Sequence, residues 1–170
     1  MPPEILIPAP ALAARVRDLG AALSAARGPE PLILVALMDG AFVFAADLAR
    51  AIPEPDLTLV FRRASSYRGT TSTGTVTLED PPALAGADVW VVDDILDTGL
   101  TLAAATAACR AAGAARVRTC VCLDKPMRRA PGGLATADLT GFTIEDRFVV
   151  GYGLDHDGKW RHLPEVRALA

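Results

Sequence analysis

Residues 91–101 read VVDDILDTGLT: the end of an apolar run, two adjacent carboxylates, a short loop and the start of an alanine-rich helix. The run that feeds it, DVWVV at 88–92, is apolar after its first residue, as expected of a strand covered on both faces in a parallel sheet. Where such a strand gives way to a helix, the N–H groups of the loop and first helical turn form a concavity that suits an anion. Thr98 and Thr101 add hydroxyl donors, and Gly99 lets the backbone come close to a phosphate. Asp93 and Asp94 are unexpected beside a phosphate unless the ligand also carries hydroxyls or develops positive charge. A ribose 5-phosphate does both, since its diol suits carboxylates and its C1 becomes cation-like when a leaving group departs.

Outward from this motif, strand and helix signals alternate. Residues 11–26 carry apolar side chains at helical spacing and stop before Gly28-Pro29. PLILVAL at 31–37 reads as a buried strand, Met38-Asp39-Gly40 as a turn, and 41–51 as a helix ending before Pro53. A strand is expected at 57–63, then a mobile loop at 64–74, where ASSYRGTTSTG offers little to bury. A returning strand at 75–78 and a surface turn at Pro81-Pro82 follow. Beyond the central motif come a helix at 101–112 closed by Gly113, a buried strand at 116–123, a polar loop, FVVGY at 148–152 and a tail rich in charge and aromatics. This order predicts an α/β fold, a mainly parallel sheet with helices on both faces, whose ligands bind at the carboxyl ends of the strands.

Bulk properties narrow the function. The chain has 170 residues, enough for one domain, and 51% hydrophobic against 22% charged residues is a globular balance. A net charge of −3 gives no general attraction to nucleic acid or anionic membranes. MPPEILIPAP lacks the basic start and apolar core of a secretion signal, and no apolar run approaches the ~20 residues that span a bilayer, so a cytoplasmic protein is expected. Cys109, Cys120 and Cys122 are too few for a disulfide framework, and the last two, two apart, lack Cys-x-x-Cys spacing; core packing is expected of them. Lysine and arginine total 17, yet the only lysines are Lys125 and Lys159, which singles both out.

Other acidic and phosphate-binding motifs fit less well. The spacing from Asp94 to Asp97 is one residue too long for Asp-x-Asp-x-Thr phosphatases, and no Gly-Lys-Ser/Thr of a Walker loop is present. Gly151-Tyr152-Gly153 fails the dinucleotide pattern at His156, and Asp155-His156-Asp157-Gly158 departs from a calcium loop at Lys159.

Five stretches in order, LMDGAFVFAADLAR (37–50), SSYRGTTSTG (65–74), VVDDILDTGLTL (91–102), LDKPMRR (123–129) and RFVVGYGLDHDGKWRHLP (147–164), resemble the bacterial hypoxanthine phosphoribosyltransferases of the hypoxanthine-guanine group. The resemblance implies one domain over 1–170 with the type I phosphoribosyltransferase fold. Its core would be about 28–145, its small hood the N-terminal segment plus about 146–170, with a mobile active-site loop. It implies magnesium-assisted transfer of phosphoribosyl from 5-phosphoribosyl 1-diphosphate to a 6-oxopurine, in a homodimer or homotetramer. Asp97, Thr98, Gly99, Leu100 and Thr101 would hold the 5-phosphate, Asp93 and Asp94 the ribose hydroxyls and metal, and Asp97 the proton of purine N7. Met38, Asp39 and Gly40 would form the pyrophosphate turn, supported by Arg63 and Arg161, with Ser66 and Tyr67 on the closing loop. Lys125 would donate to purine O6, Phe148 stack on the ring, Val149 read its edge through the backbone, and Asp155 join the metal beside the purine. His156 and His162 receive no role.

Two positions depart from that pattern. Asp93 stands where glutamate is common, and Asp39 where lysine is common, placing a carboxylate beside the pyrophosphate turn. A guanine- or xanthine-preferring relative, or a non-catalytic sensor of phosphoribosyl diphosphate, would share the phosphate motif. The joint presence of Asp97, Lys125 and Phe148 favours the enzyme.

Overall fold

The computed structural model describes residues 4–66, 76–78 and 83–169. The chain runs β1 (Glu4–Ile7), α1 (Ala9–Ala26), β2 (Leu32–Met38), α2 (Phe42–Arg50), β3 (Thr58–Ser66), β4 (Val76–Leu78), β5 (Asp88–Leu96), α3 (Leu100–Ala111), β6 (Arg116–Asp124), a 3-10 turn (Pro126–Arg128), β7 (Leu139–Thr143), β8 (Val149–Val150) and β9 (Val166–Ala168). The main sheet has the order β4-β3-β2-β5-β6-β7 and is parallel except for the antiparallel β3–β4 pair. No described helix is long and apolar enough to cross a membrane.

Alternation along the buried strands sends side chains to two layers. Leu34 and Ala36 of β2, Trp90 and Val92 of β5 and Cys120 and Cys122 of β6 pack with Leu12, Val16, Leu19 and Leu23 of α1 and with Phe44 and Leu48 of α2. Val35, Leu37, Val89, Val91 and Val121 pack with Leu102, Ala105 and Cys109 of α3 on the other side. All three cysteines are free and buried, and burial pushes the Cys120 thiol up to about 12. The terminal segments meet in a small antiparallel sheet, β1-β9-β8, with Glu4 opposite Ala168 and Val149 on the other side of Ala168. An Arg147–Glu4 ion pair of 2.8 Å ties β1 to the start of this hood.

The structure lengthens several elements. β5 continues past Val92 to Leu96 because its backbone goes on pairing with β6, through Asp93 with Val121 and Leu96 with Asp124. The two acidic residues therefore belong to the strand itself, and the loop shrinks to residues 97–99. β3 runs to Ser66, not Arg63, since Ala64 pairs with Leu78 and Ser66 with Val76. The expected loop therefore starts later; its residues 67–74, Tyr67 among them, lie outside the described residues, as do Thr75 and Pro81-Pro82. β7 arises inside the stretch read as a polar loop, an edge strand pairing only with β6. α1 begins at Ala9, taking Pro10 into its first turn, where a missing N–H costs nothing.

At the amino ends of the strands, fully buried Asp88 accepts 2.6 and 2.9 Å hydrogen bonds from Arg118 Nη2 and a 3.1 Å bond from the Gly28 N–H. The Arg118 guanidinium stacks on Trp90 at 4.2 Å. Asp88→Ala leaves that guanidinium unpaired and should destabilise the fold by roughly 3–5 kcal/mol in urea titration. Because Asp88 sits at the opposite end of β5 from residues 93–97, activity of the folded fraction should persist at low temperature; its loss would mean that this clamp also shapes the cleft.

Candidate active site

Beyond Leu96, three residues carry the chain into α3. Gly99 holds φ at 81°, and a Cβ there would lie 2.4 Å from the Leu134 carbonyl oxygen, so only glycine fits. The carbonyls of this stretch are all tied from behind by residues 125–134. Leu96 O accepts from Lys125 N (3.0 Å), Asp97 O from the Arg129 guanidinium (2.8 Å), Thr98 O from Ala130 N (3.0 Å) and Gly99 O from Leu134 N (2.9 Å). In a planar trans peptide the following N–H points the opposite way. The N–H groups of residues 97–100 are thereby turned toward a cleft of about 340 Å³. Only that of Leu100 has a partner among the described residues, a long 3.4 Å bond to Thr98 Oγ1.

The facing wall is the turn after β2. Its Met38–Asp39 peptide is cis, and the N–H groups of Asp39 and Gly40 donate to no described acceptor. A Cβ on Gly40 would collide with the Asp94 carboxylate at 1.7 Å, so glycine is required for the acid to lie against the turn. Asp39 does not line the cleft. Its carboxylate instead pairs with Arg63 at 2.8 Å, since parallel register sets Met38 beside Arg63. The negative charge that sequence placed beside the pyrophosphate turn is thus met by a neighbouring strand, and Arg63 is engaged there instead of standing free.

Asp93 is buried, and its Oδ1 accepts the Asp94 N–H at 3.0 Å. Burial, then the charge of Asp94, holds the Asp93 carboxyl well above the ordinary carboxylate range. Burial raises Asp94 as well, partly offset by its hydrogen bond with Asp93 and by Arg161. Both shifts disfavour the charged form in the empty cleft, so hydroxyl donors or a positive charge bound there would favour ionisation.

A second cleft of about 490 Å³ adjoins the first and is lined by Lys125, Arg128, Asp146, Phe148, Val149 and Asp155. Lys125 is 8% exposed whereas Phe148 is 54% exposed, presenting its ring to the cleft with the His156 ring edge-on 5.2 Å away. Ile95 and Asp97 line both clefts. The Asp97 carboxylate accepts a 3.0 Å bond from Arg128 Nε, while Arg128 Nη1 lies 3.5 Å from Asp146, contacts that raise the Arg128 pKa.

Of the residues expected from sequence, Met38, Gly40, Asp93, Asp94, Asp97, Thr98, Gly99 and Thr101 line the first cleft and Asp97, Lys125, Phe148, Val149 and Asp155 the second, whereas Asp39, Arg63, Leu100 and Arg161 line neither. Asp155 is the exception among the proposed metal ligands: it pairs with Arg161 at 2.9 Å and lines the second cleft, while Asp93 and Asp94 line the first. Among the described residues no three carboxylate, imidazole or thiol groups converge on one metal position. Arg161 also donates to Gly153 O at 2.6 Å. Ser66 contributes its backbone to β3. Sequence reasoning missed Ile95, Arg128, Asp146 and Leu154; the only signal for Arg128 was its place three residues after Lys125.

A family profile described as phosphoribosyl transferase domain matches residues 4–157. The chain is 39% identical over 156 residues to a hypoxanthine-guanine phosphoribosyltransferase of Aquifex aeolicus, covering 89% of this chain and 86% of that protein. It is 36% identical to the hypoxanthine phosphoribosyltransferase of Salmonella typhimurium, covering 96% and 93%. A crystal structure of a hypoxanthine-guanine phosphoribosyltransferase from Bacillus anthracis superposes with a TM-score of 0.90 at 38% identity, covering 98% of each chain.

The raised Asp93 carboxyl carries a stability consequence. The folded protein holds that proton more tightly than the unfolded chain, so ligand-free stability falls as pH rises from the ordinary value of 3.8 through the raised one. Asp93→Asn removes this loss. Its melting temperature without ligand should exceed that of the parent at neutral pH, with the gap closing as pH falls to 3.8. A lower melting temperature for the variant at neutral pH would show that the carboxylate stabilises the empty fold.

Proposed function

The chain belongs to the phosphoribosyltransferase family, and from that membership we propose that it transfers the 5-phosphoribosyl group of 5-phosphoribosyl 1-diphosphate to hypoxanthine and guanine, releasing pyrophosphate. The observation that carries this reading is the position of Asp97, shared by a cleft faced by loop N–H groups, most without a partner among the described residues, and a cleft with a buried lysine and an exposed ring. A nucleotide spanning both has its phosphate at one end and its base at the other.

In this reading the N–H groups of residues 97–101 hold the 5-phosphate, and the Asp93 and Asp94 carboxylates hold the ribose diol. As the bond to pyrophosphate lengthens, positive charge grows on the ribosyl ring, and the pre-placed carboxylates of Asp93 and Asp94 stabilise it without reorganising. Asp97 takes the N7 proton as the glycosidic bond forms, and Arg128 Nε, donating to the same carboxylate, orients it. Lys125, a donor only, faces O6 and disfavours a 6-amino group. Phe148 stacks on the base, and the free N–H groups of Asp39 and Gly40 hold pyrophosphate.

The hard oxygens of Asp93 and Asp94 suit Mg²⁺, which typically takes one or two carboxylates and completes its shell with phosphate oxygens and water. The metal supplies charge neutralisation on the diphosphate leaving group. Asp155 fits a role beside the purine better than one on that ion. A cytoplasmic dimer or tetramer is part of the same proposal.

Steady-state assays with magnesium should show turnover of hypoxanthine and guanine and none of adenine; comparable adenine turnover would remove Lys125 from the purine site. Asp97→Asn should lower kcat roughly 10²- to 10⁴-fold with phosphoribosyl diphosphate binding retained. Lys125→Ala should raise KM for hypoxanthine about tenfold or more, the cost of one charge-assisted hydrogen bond, and leave KM for phosphoribosyl diphosphate nearly unchanged. Equal effects on the two substrates would make Lys125 a support of the fold.

A further inference from the structure

Arg129 lines neither cleft, and the chemistry above gives it no part. Yet its half-hidden guanidinium, 18% exposed, has every nitrogen engaged. Nη1 donates to Leu96 O (3.0 Å), Asp97 O (2.8 Å) and Lys125 O (3.0 Å), two hydrogens shared among three carbonyls. Nε donates to Ala135 O at 2.8 Å, and Nη2 pairs with the Asp124 carboxylate.

The three carbonyls on Nη1 belong to the two places that must act on one base. Leu96 and Asp97 open the phosphate loop and orient the carboxylate that meets N7. Lys125 carries the ammonium that meets O6. Asp97 and Lys125 lie 28 residues apart in the chain and come together only through the end of the β5–β6 ladder and one bond, Lys125 N to Leu96 O. A planar guanidinium fixes several acceptors at set angles, whereas an ammonium radiates its donors from a single point.

We propose that Arg129 is a positioning residue that holds Asp97 and Lys125 in register, so that one purine meets both. The inference rests on the function proposed above. It is selective in its consequences, because the far end of the loop is tied independently. Ala130 N holds Thr98 O and Leu134 N holds Gly99 O, and neither contact involves the guanidinium. Losing Arg129 therefore loosens the base end most; at the phosphate end it frees the Asp97 carbonyl, while those of Leu96, Thr98 and Gly99 keep their backbone donors.

The test is calorimetric binding of two ligands to folded Arg129→Lys and to the parent protein. Inosine 5′-monophosphate spans both clefts; ribose 5-phosphate occupies the phosphate end alone. The variant should bind the nucleotide about tenfold or more weakly, the scale of one or two lost hydrogen bonds, with a clearly smaller loss for the sugar phosphate. Its kcat should fall alongside. Equal weakening for both ligands, or weakening for neither, would overturn the proposal. Should Arg129→Lys fail to fold, Asp124→Asn releases the Nη2 anchor while keeping the arginine. The same selective loss, smaller, is then expected, and an unselective or absent loss overturns the proposal. A parent protein that neither binds the nucleotide nor turns over hypoxanthine would instead refute the proposed function.

Discussion

Four successive carbonyls, from Leu96 to Gly99, are held from one side by residues 125–134. Peptide planarity then turns the intervening N–H groups to the other side, where they line the cleft. The arrangement depends on topology: β5 and β6 are neighbours whose last paired residues are Leu96 and Asp124, so the chain leaving β6 passes directly behind the loop leaving β5. It depends equally on Gly99, whose missing side chain lets the Leu134 backbone close in. Once these contacts form, the N–H groups of residues 97–100 face one cleft, and among the described residues no lysine or arginine lines it.

That economy matters because the same cleft holds one buried and one half-buried carboxylate, Asp93 and Asp94. A phosphate beside Asp93 and Asp94 would be repelled if it were held only by charge competing with charge. In the proposed reaction, neutral N–H dipoles would hold the anion at one end and leave the acids free for the ribosyl diol and its developing positive charge. The remaining charges are paired around the rim: Asp39 with Arg63, Asp155 with Arg161, and Asp97 with Arg128. The raised Asp93 carboxyl is the residual cost of placing an acid in a dry position beside another.

Much of this was legible in the sequence. The apolar runs of β2, β5 and β6 announced a parallel sheet, and DDILDTG located the anion loop at a strand end, because burial and helix starts leave local composition signals. What escaped was set by pairing between distant segments. β5 continues through Asp93 and Asp94 because its backbone pairs with β6, whatever their side chains. β7 is a half-buried edge strand with weak alternation. Asp39 looked like a defect in the pyrophosphate turn until parallel register supplied Arg63 from a strand 24 residues on. Arg128 and Arg129 are adjacent, and nothing local tells that one caps the Asp97 carboxylate while the other grips its carbonyl.

The central claim is that N–H groups freed by backward-tied carbonyls receive the phosphate. Titration of ¹⁵N-labelled protein with ribose 5-phosphate, followed residue by residue, tests it most directly. The amides of residues 97–101 should show the largest downfield shifts, saturating with a single binding curve. Saturable binding that leaves those amides unmoved and shifts resonances elsewhere would contradict it.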